Sequence, residues 1–231
     1  MAKFKDRGEA GRLLATRLTQ YANDPDLLVV ALPRGGVPVG FEVAKALGAP
    51  LDILVVRKLG VPGDDQVAMG AIANGDIRVL DEDFIALLGI TDEVIETVCA
   101  REKQELKRRE LACRGDAPPL RATGLKCILV DDGIATGSTM RAAIAALRQQ
   151  SPAKVIVAVP TAPPSVCNEL RRLADEVVVV MTPFLFFSVS HWYTIFGQTS
   201  DEQVRQLYQE SKRLKEFRSS GLPGVALGFV S

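Results

Sequence analysis

The stretch Cys127-Ile-Leu-Val-Asp-Asp-Gly-Ile-Ala-Thr-Gly-Ser-Thr-Met140 decides how the rest of the chain is read. Cys127 to Val130 form a short apolar run, the pattern of a buried strand. Asp131 and Asp132 stand where that strand should end. A loop of small residues, Gly133 to Thr139, follows with glycines and hydroxyls. Met140, Ala143, Ile144 and Leu147 then recur at i, i+3, i+4 and i+7, one face of a helix. A helix N-terminus behind a glycine loop offers unpaired N–H groups and a positive dipole end, which suit a phosphate. An acidic pair beside it repels phosphate and needs other partners, and sugar hydroxyls and a divalent cation meet that need. A phosphorylated sugar satisfies both halves.

Two common nucleotide motifs are excluded. Gly137 is followed by Ser138-Thr139 and not by the Lys-Ser/Thr of a Walker A loop, and the dinucleotide fingerprint is absent.

A second unit of the same kind lies upstream. Leu27 to Leu32 is a continuous apolar strand, as expected of a central parallel strand covered on both faces. Pro33-Arg-Gly-Gly-Val-Pro38 follows, then a helix with Gly40, Val43, Ala44 and Leu47 on one face. Arg34 in this turn suits bidentate phosphate binding, or is a surface arginine on a tight turn. Leu51 to Val56 is the next strand and runs into Arg57-Lys-Leu-Gly-Val-Pro-Gly63. Two cations at a strand's C-terminal end would point into the crevice where parallel sheets bind ligands, or are a pair of solvated surface charges. Pro62-Gly63 opens a mobile loop. Asp64 and Asp65 on it are candidates for proton handling, or solvated turn residues.

Elsewhere the periodicity predicts an opening helix over Asp6 to Asn23, with Ala10, Leu13, Leu14, Leu18 and Tyr21 on its apolar face. It also predicts a hairpin joining 67–73 and 77–80 across Asn74-Gly75-Asp76. A helix from Thr91 to Arg114 follows, its second half a solvated charged face with pairs such as Glu105 and Arg109. Strands 154–160 and 176–181 are joined by a helix from Pro163 to Leu173, and a last helix spans Asp201 to Phe217. Between them, Phe184 to Phe196 holds Trp192, Tyr193 and the single histidine, His191. These aromatics read either as a lid over a ring or as a hydrophobic end cap.

Composition narrows the classes. Hydrophobic residues make up 47% and charged residues 24% of 231, a globular balance. Lys+Arg and Asp+Glu both total 28, so bulk charge favours neither nucleic acid nor an acidic membrane as partner. Cys99, Cys113, Cys127 and Cys167 show no C-x-x-C spacing, which fits a reduced, cytoplasmic chain with idle thiols. The N-terminus lacks an apolar signal core and no run reaches membrane-spanning length. We expect one domain over 1–217, with hood elements at about 184–200, and a loosely held tail over 218–231.

The Asp-Asp-Gly-Ile-Ala-Thr-Gly block resembles the 5-phosphoribosyl 1-diphosphate (PRPP) motif of the type I phosphoribosyltransferases. With Pro-Arg-Gly-Gly-Val-Pro and Val-Arg-Lys-Leu-Gly-Val-Pro-Gly, the chain resembles a branch of that family whose acceptors are uncharacterised, over residues 1 to about 210. The resemblance implies an α/β fold: a Rossmann-like parallel sheet flanked by helices, a small antiparallel hairpin with a flexible loop, and a C-terminal hood. It implies PRPP across the crevice. Ala135, Thr136, Gly137, Ser138 and Thr139 would cradle the 5-phosphate, and Asp131 and Asp132 would hold the ribose hydroxyls. Arg34, Gly35 and Gly36 would hold the pyrophosphate, helped by Arg57 and Lys58, with a strained or cis peptide at that turn. Catalysis would rest on Asp131, Asp132, Arg34 and Lys58. Mg²⁺ would be chelated mainly by substrate, with Asp131 and Asp132 as the protein's contribution. Trp192 and Tyr193 are the hood candidates for an acceptor, and a homodimer is a family expectation.

Two positions depart from the family pattern. Ala135 stands where purine-salvage members place an aspartate, and Gly133 replaces a bulkier apolar residue. The donor is thereby better specified than the acceptor, which we expect to be a nitrogenous base. The alternatives are a PRPP sensor without turnover, and a hydrolase or transferase acting on another phosphosugar.

Overall fold

Five parallel strands form the centre: β1 (Leu27–Ala31), β2 (Leu51–Ile53), β6 (Lys126–Val130), β7 (Lys154–Thr161) and β8 (Glu176–Met181), in the order β2-β1-β6-β7-β8. The structure is a computed structural model that describes residues 3–219, apart from the side chains of residues 64–66, 215 and 217–219. The expected tail beyond Ser219 lies outside the described residues.

The continuous apolar strands are buried on both faces because side chains alternate. Val29 and Ala31 of β1, with Ile128 and Val130 of β6, join one core cluster, while Leu28, Val30, Cys127 and Leu129 join the other. The first cluster is covered by α2 (Gly36–Leu47), which buries Val39, Val43 and Leu47 there. The second is covered by α5 (Ser138–Arg148), through Met140, Ala143, Ile144 and Leu147. Neighbouring strands β1 and β6 therefore send their helices to opposite faces. The turns after them flank a topological switch point, where parallel sheets open a crevice.

The strand expected over Leu51 to Val56 is divided. Pairing with β1 ends at Ile53, and Val56–Val61 (β3) belongs to a separate antiparallel sheet with β4 (Asp64–Ala73) and β5 (Ile77–Leu80). Asn74 makes the break. It is 1% exposed; its backbone N–H donates to the Val55 carbonyl, and its side-chain oxygen accepts from Val55 N–H at 2.9 Å. Its Nδ2 is buried without a partner among the described residues. The chain is thus held at Val55 and peels off the main sheet. The β4–β5 hairpin lies where expected, with Ala73 opposite Ile77, as part of three strands and not two.

Other boundaries shift for local reasons. The opening helix, α1, ends at Ala15, where the Thr16 hydroxyl turns back to the Leu13 carbonyl at 2.7 Å. A 3₁₀ turn over Thr19–Tyr21 follows, and Leu13 faces solvent. Asp81 caps an unforeseen helix, α3 (Glu82–Leu88). The helix α4 (Asp92–Arg114) begins after Thr91 as expected, but its second half is not merely solvated, because Glu102 and Arg114 are buried. Arg114 donates to both Asp52 oxygens at 2.9 and 3.0 Å and ties α4 to β2. α6 covers Pro164–Leu170, and α7 runs from Asp201 through Ser219, past the expected end at Phe217. Among the described residues no helix is long and apolar enough to cross a membrane.

Candidate active site

The acidic pair sits at the end of β6, wedged against the second glycine turn. Asp131 accepts the Asp132 backbone N–H on Oδ1 at 2.8 Å. A Cβ on Gly35 would stand 2.1 Å from Asp132 Oδ2, and one on Gly36 would stand 2.7 Å from the Val130 carbonyl oxygen and 2.8 Å from Asp131 Cα. Only glycines let the start of α2 approach the carboxylates this closely. The Pro33–Arg34 peptide bond just before them is cis.

Burial raises the pKa of both acids. Asp131 lies well above the ordinary carboxylate range, first from desolvation and then from the adjacent Asp132 charge. Asp132 is also raised by burial, but the nearby Arg7 guanidinium pulls against that. Arg7 is the site residue that sequence reasoning missed. Its Nε donates to Asp132 Oδ2 at 2.8 Å, with both side chains 13% exposed. Its Nη1 donates to the Gly197 carbonyl at 2.7 Å, and its guanidinium lies 3.9 Å from the Phe196 ring centre.

Removing Arg7 has an expected consequence. An Arg7→Met variant loses the cation that lowers Asp132, so the acid limb of any ligand binding that needs this carboxylate moves to higher pH. Affinity measured across pH checks this; an unmoved limb contradicts it.

The loop between the pair and α5 is the glycine turn expected before that helix. Gly137 takes φ +78° and precedes the first turn of α5, leaving the first N–H groups of that helix without intrahelical partners. Thr136 and Ser138 hydroxyls lie 3.2 Å apart, and Arg141 reaches the Thr136 carbonyl at 3.1 Å. Ala135, Thr136 and Thr139 are exposed. Gly133 has a packing reason: a Cβ there would meet Val189 at 2.6 Å and Thr161 at 3.1 Å.

The remaining cations separate. Arg34, Thr139, Leu54 to Val56 and Asp201 line a cleft beside the Pro33–Gly36 turn, with Arg34 Nη1 3.7 Å from Asp201 Oδ1. Arg57 and Lys58 are adjacent on a strand and so face opposite sides. Lys58 lines a groove with Ser138 and Arg141. Arg57 instead donates twice to Glu102, at 2.8 and 2.6 Å. Glu102 is buried, so Arg57→Ala is expected to lower stability by about 1.5–3 kcal/mol, as for hydrogen bonds to a charged group. Denaturant unfolding checks this, and an unchanged midpoint contradicts it. The Asp64 and Asp65 side chains lie outside the described residues.

Trp192 and Tyr193 take the end-cap arrangement of the two that the sequence left open. Both are buried with Phe4 and Ala10. The N-terminal segment pairs with theirs: Phe4 N–H donates to the Trp192 carbonyl, and Thr194 N–H to the Phe4 carbonyl. The Tyr193 hydroxyl donates to the Asp132 carbonyl at 2.5 Å, which holds the acidic corner from behind. The exposed phenylalanines of this segment are Phe184, 91% exposed, Phe187, 77% exposed, and Phe196, 36% exposed. His191 is exposed beside Phe187 and Trp192. The four cysteines are buried and free, and burial pushes the Cys127 thiol up to about 12.

Among the described residues no group of three or more His, Cys, Asp or Glu side chains is placed to hold a metal ion. The two carboxylates fit a cation bound mostly through a ligand's own oxygens, since a positive charge there would relieve their buried repulsion.

Comparison with known proteins agrees with this architecture. Residues 6–190 match the family model described as the phosphoribosyl transferase domain. The crystal structure of TT1426 from Thermus thermophilus is 39% identical, covers 90% of this chain and 98% of its own, and superposes with a TM-score of 0.82. Rv0571c of Mycobacterium tuberculosis, provisionally named as a phosphoribosyl transferase, is 43% identical over 221 residues, 96% of this chain and 49% of that protein. The chain therefore spans about half the length of the curated relatives it matches. On the extent of these matches, the chain belongs to the phosphoribosyl transferase domain family.

Proposed function

We propose that this crevice binds PRPP with Mg²⁺ and transfers its phosphoribosyl group to a nitrogenous base, releasing pyrophosphate. The observation that carries the reading is the contact between the two glycine turns, where Gly35 lies against Asp132. That contact sets the acidic pair against the Arg34 turn, and Arg34 and Thr139 line one cleft, which supports reading the three as parts of one ligand site. In this reading the cradle from Ala135 to Thr139 takes the 5-phosphate, and Asp131 and Asp132 take the ribose hydroxyls. Arg34, with the Gly35 and Gly36 backbone, takes the pyrophosphate, and Lys58 approaches from the antiparallel sheet. Magnesium, chelated largely by substrate oxygens and met by Asp131 and Asp132, would supply charge neutralisation.

The chemistry asked of the chain is electrostatic. Displacement at the anomeric carbon passes through a transition state with positive charge on the ribose. Asp131 and Asp132 favour that charge, Arg34 stabilises the departing pyrophosphate, and the glycine turns keep both ends in register. No protein nucleophile is required.

A sensor without turnover is the second reading. It draws on Arg7, which occupies Asp132 in the structure, and on Ala135, which leaves no acid beside the acceptor space. Pyrophosphate release from PRPP and Mg²⁺ across a panel of purine and pyrimidine bases separates the two. Release with one base supports the transferase. PRPP binding with no release across the panel supports the sensor. Absence of both would sink each and leave a different phosphosugar. A cytoplasmic homodimer is part of the same proposal.

A further inference from the structure

The cleft beside Arg34 contains two more cations, neither used so far. Arg108 and Arg109 of α4 line it together with Pro33, Arg34 and Thr139. Helical geometry explains how Arg109 arrives there. Cys99, Glu102, Leu106 and Cys113 form the buried stripe of α4, and Arg109 falls on the same stripe between the last two. It is nevertheless exposed, with its side chain 48% accessible. The stripe therefore leaves the core at Arg109 and opens over the cleft.

Glu105 holds both arginines in place. Arg108 donates Nε and Nη2 to it at 2.8 and 2.9 Å, and Arg109 donates Nε at 2.7 Å. The two guanidiniums hold the Glu105 carboxyl down to about 2. Among the described residues the two terminal nitrogens of Arg109 make no hydrogen bond within the chain, and a planar pair of donors matches two oxygens of a phosphate. The charged side chains lining this cleft are Arg34, Arg108 and Arg109 against Asp201, and counting Glu105, which holds the two α4 arginines, still leaves an excess of one positive charge. Meanwhile Arg57, the cation that the motif pattern offers for this end, is turned away onto Glu102.

We propose that Arg109, assisted by Arg108, completes the pyrophosphate end of the crevice with Arg34, in the place the sequence pattern gives to Arg57. This deepens the phosphoribosyltransferase reading and rests on it for the identity of the anion. The diphosphate groups come from two elements, the β1–α2 turn and α4, and Thr139 of the 5-phosphate loop lies on the same cleft.

Calorimetric titration of the full chain with inorganic pyrophosphate, PRPP and ribose 5-phosphate, each with Mg²⁺, tests this. Arg109→Ala should weaken pyrophosphate and PRPP by about tenfold, the loss of one charge-assisted pair. Arg108→Ala/Arg109→Ala should weaken them further, and Arg109→Lys should restore part of the loss. Ribose 5-phosphate affinity and melting temperature should not move. A double variant that binds pyrophosphate within about twofold of wild type, the scale of an unrelated surface change, overturns the inference and leaves the donor reading standing. Arginine-dependent pyrophosphate binding without PRPP binding keeps the anion site and removes the donor reading. A wild-type chain that binds no pyrophosphate overturns the inference.

Discussion

Asp131→Asn/Asp132→Asn is expected to lose PRPP affinity by about a hundredfold or more while the protein becomes more heat-stable at neutral pH. The first half follows from removing two charged acceptors of ribose hydroxyls, each worth about 1.5–3 kcal/mol. The second half follows from the raised pKa values. Both acids bind a proton more tightly in the folded chain than in the unfolded one, where carboxyls titrate near about 4. Stability is therefore full below that unfolded value and is lost as pH rises through the raised folded values. At neutral pH the buried acidic pair is a burden on the fold, offset in part by Arg7 at Asp132. Asparagine at 131 keeps the oxygen that accepts the Asp132 N–H and removes the charge. Each kcal/mol recovered should raise the melting temperature by about 2–4 °C, and the gain should shrink as pH falls. A variant less stable than wild type at every pH would show that the pair holds the fold together.

Gly36→Ala is expected to damage the fold, and Gly35→Ala chiefly the site, although the two residues are neighbours. The added carbon at 36 meets the Val130 carbonyl and Asp131 Cα, backbone atoms at the end of a central strand that cannot step aside. Overpacking of this kind costs about 1–3 kcal/mol, roughly 2–12 °C for a chain of this size. The added carbon at 35 meets the Asp132 carboxylate, which can rotate. That rotation breaks the 2.8 Å contact with Arg7 and moves the carboxylate off the crevice. Thermal melts and PRPP titrations on both variants check the contrast. Equal destabilisation with equal loss of binding would mean that the glycine turn and the acidic corner move as one body.

How far such a site can be read from the sequence depends on the range of the contacts that build it. The strands at Leu27, Cys127 and Lys154 were legible because burial on both faces writes itself as an uninterrupted apolar run, and the edge strand at Glu176, though only half-buried, carries the same run. The two glycine turns were legible because each is contiguous, and the proposed phosphate cradle is made of consecutive residues. Strand–helix alternation implies the parallel sheet, whereas the placing of the two turns on neighbouring strands comes only with the family resemblance.

Contacts across long sequence separations were not legible. Arg7 and Asp132 are 125 positions apart, and nothing in the first helix marks one arginine among its charges as the partner of a buried acid. The Asn-Gly pair marks Asn74 as a turn residue, whereas its side chain's hold on Val55 decides where β2 ends. Trp192 and Tyr193 stand out in the sequence as aromatics after the last strand, but their burial depends on Phe4 at the other end of the chain. Arg109 did carry a signal. It falls on the helical stripe of Cys99, Glu102, Leu106 and Cys113, and a cation on an otherwise buried stripe marks a place where the core opens. Dense charge around it hid that periodicity.

The central claim is that one ligand spans both glycine turns, its 5-phosphate at Ala135 to Thr139 and its diphosphate at Arg34. Phosphorus NMR of PRPP titrated with the protein and Mg²⁺ observes both ends at once. The 5-phosphate and diphosphate resonances should shift or broaden along a single saturation curve, and both responses should vanish with Asp131→Asn/Asp132→Asn. A response confined to one end, or none while the protein remains folded, would contradict the account.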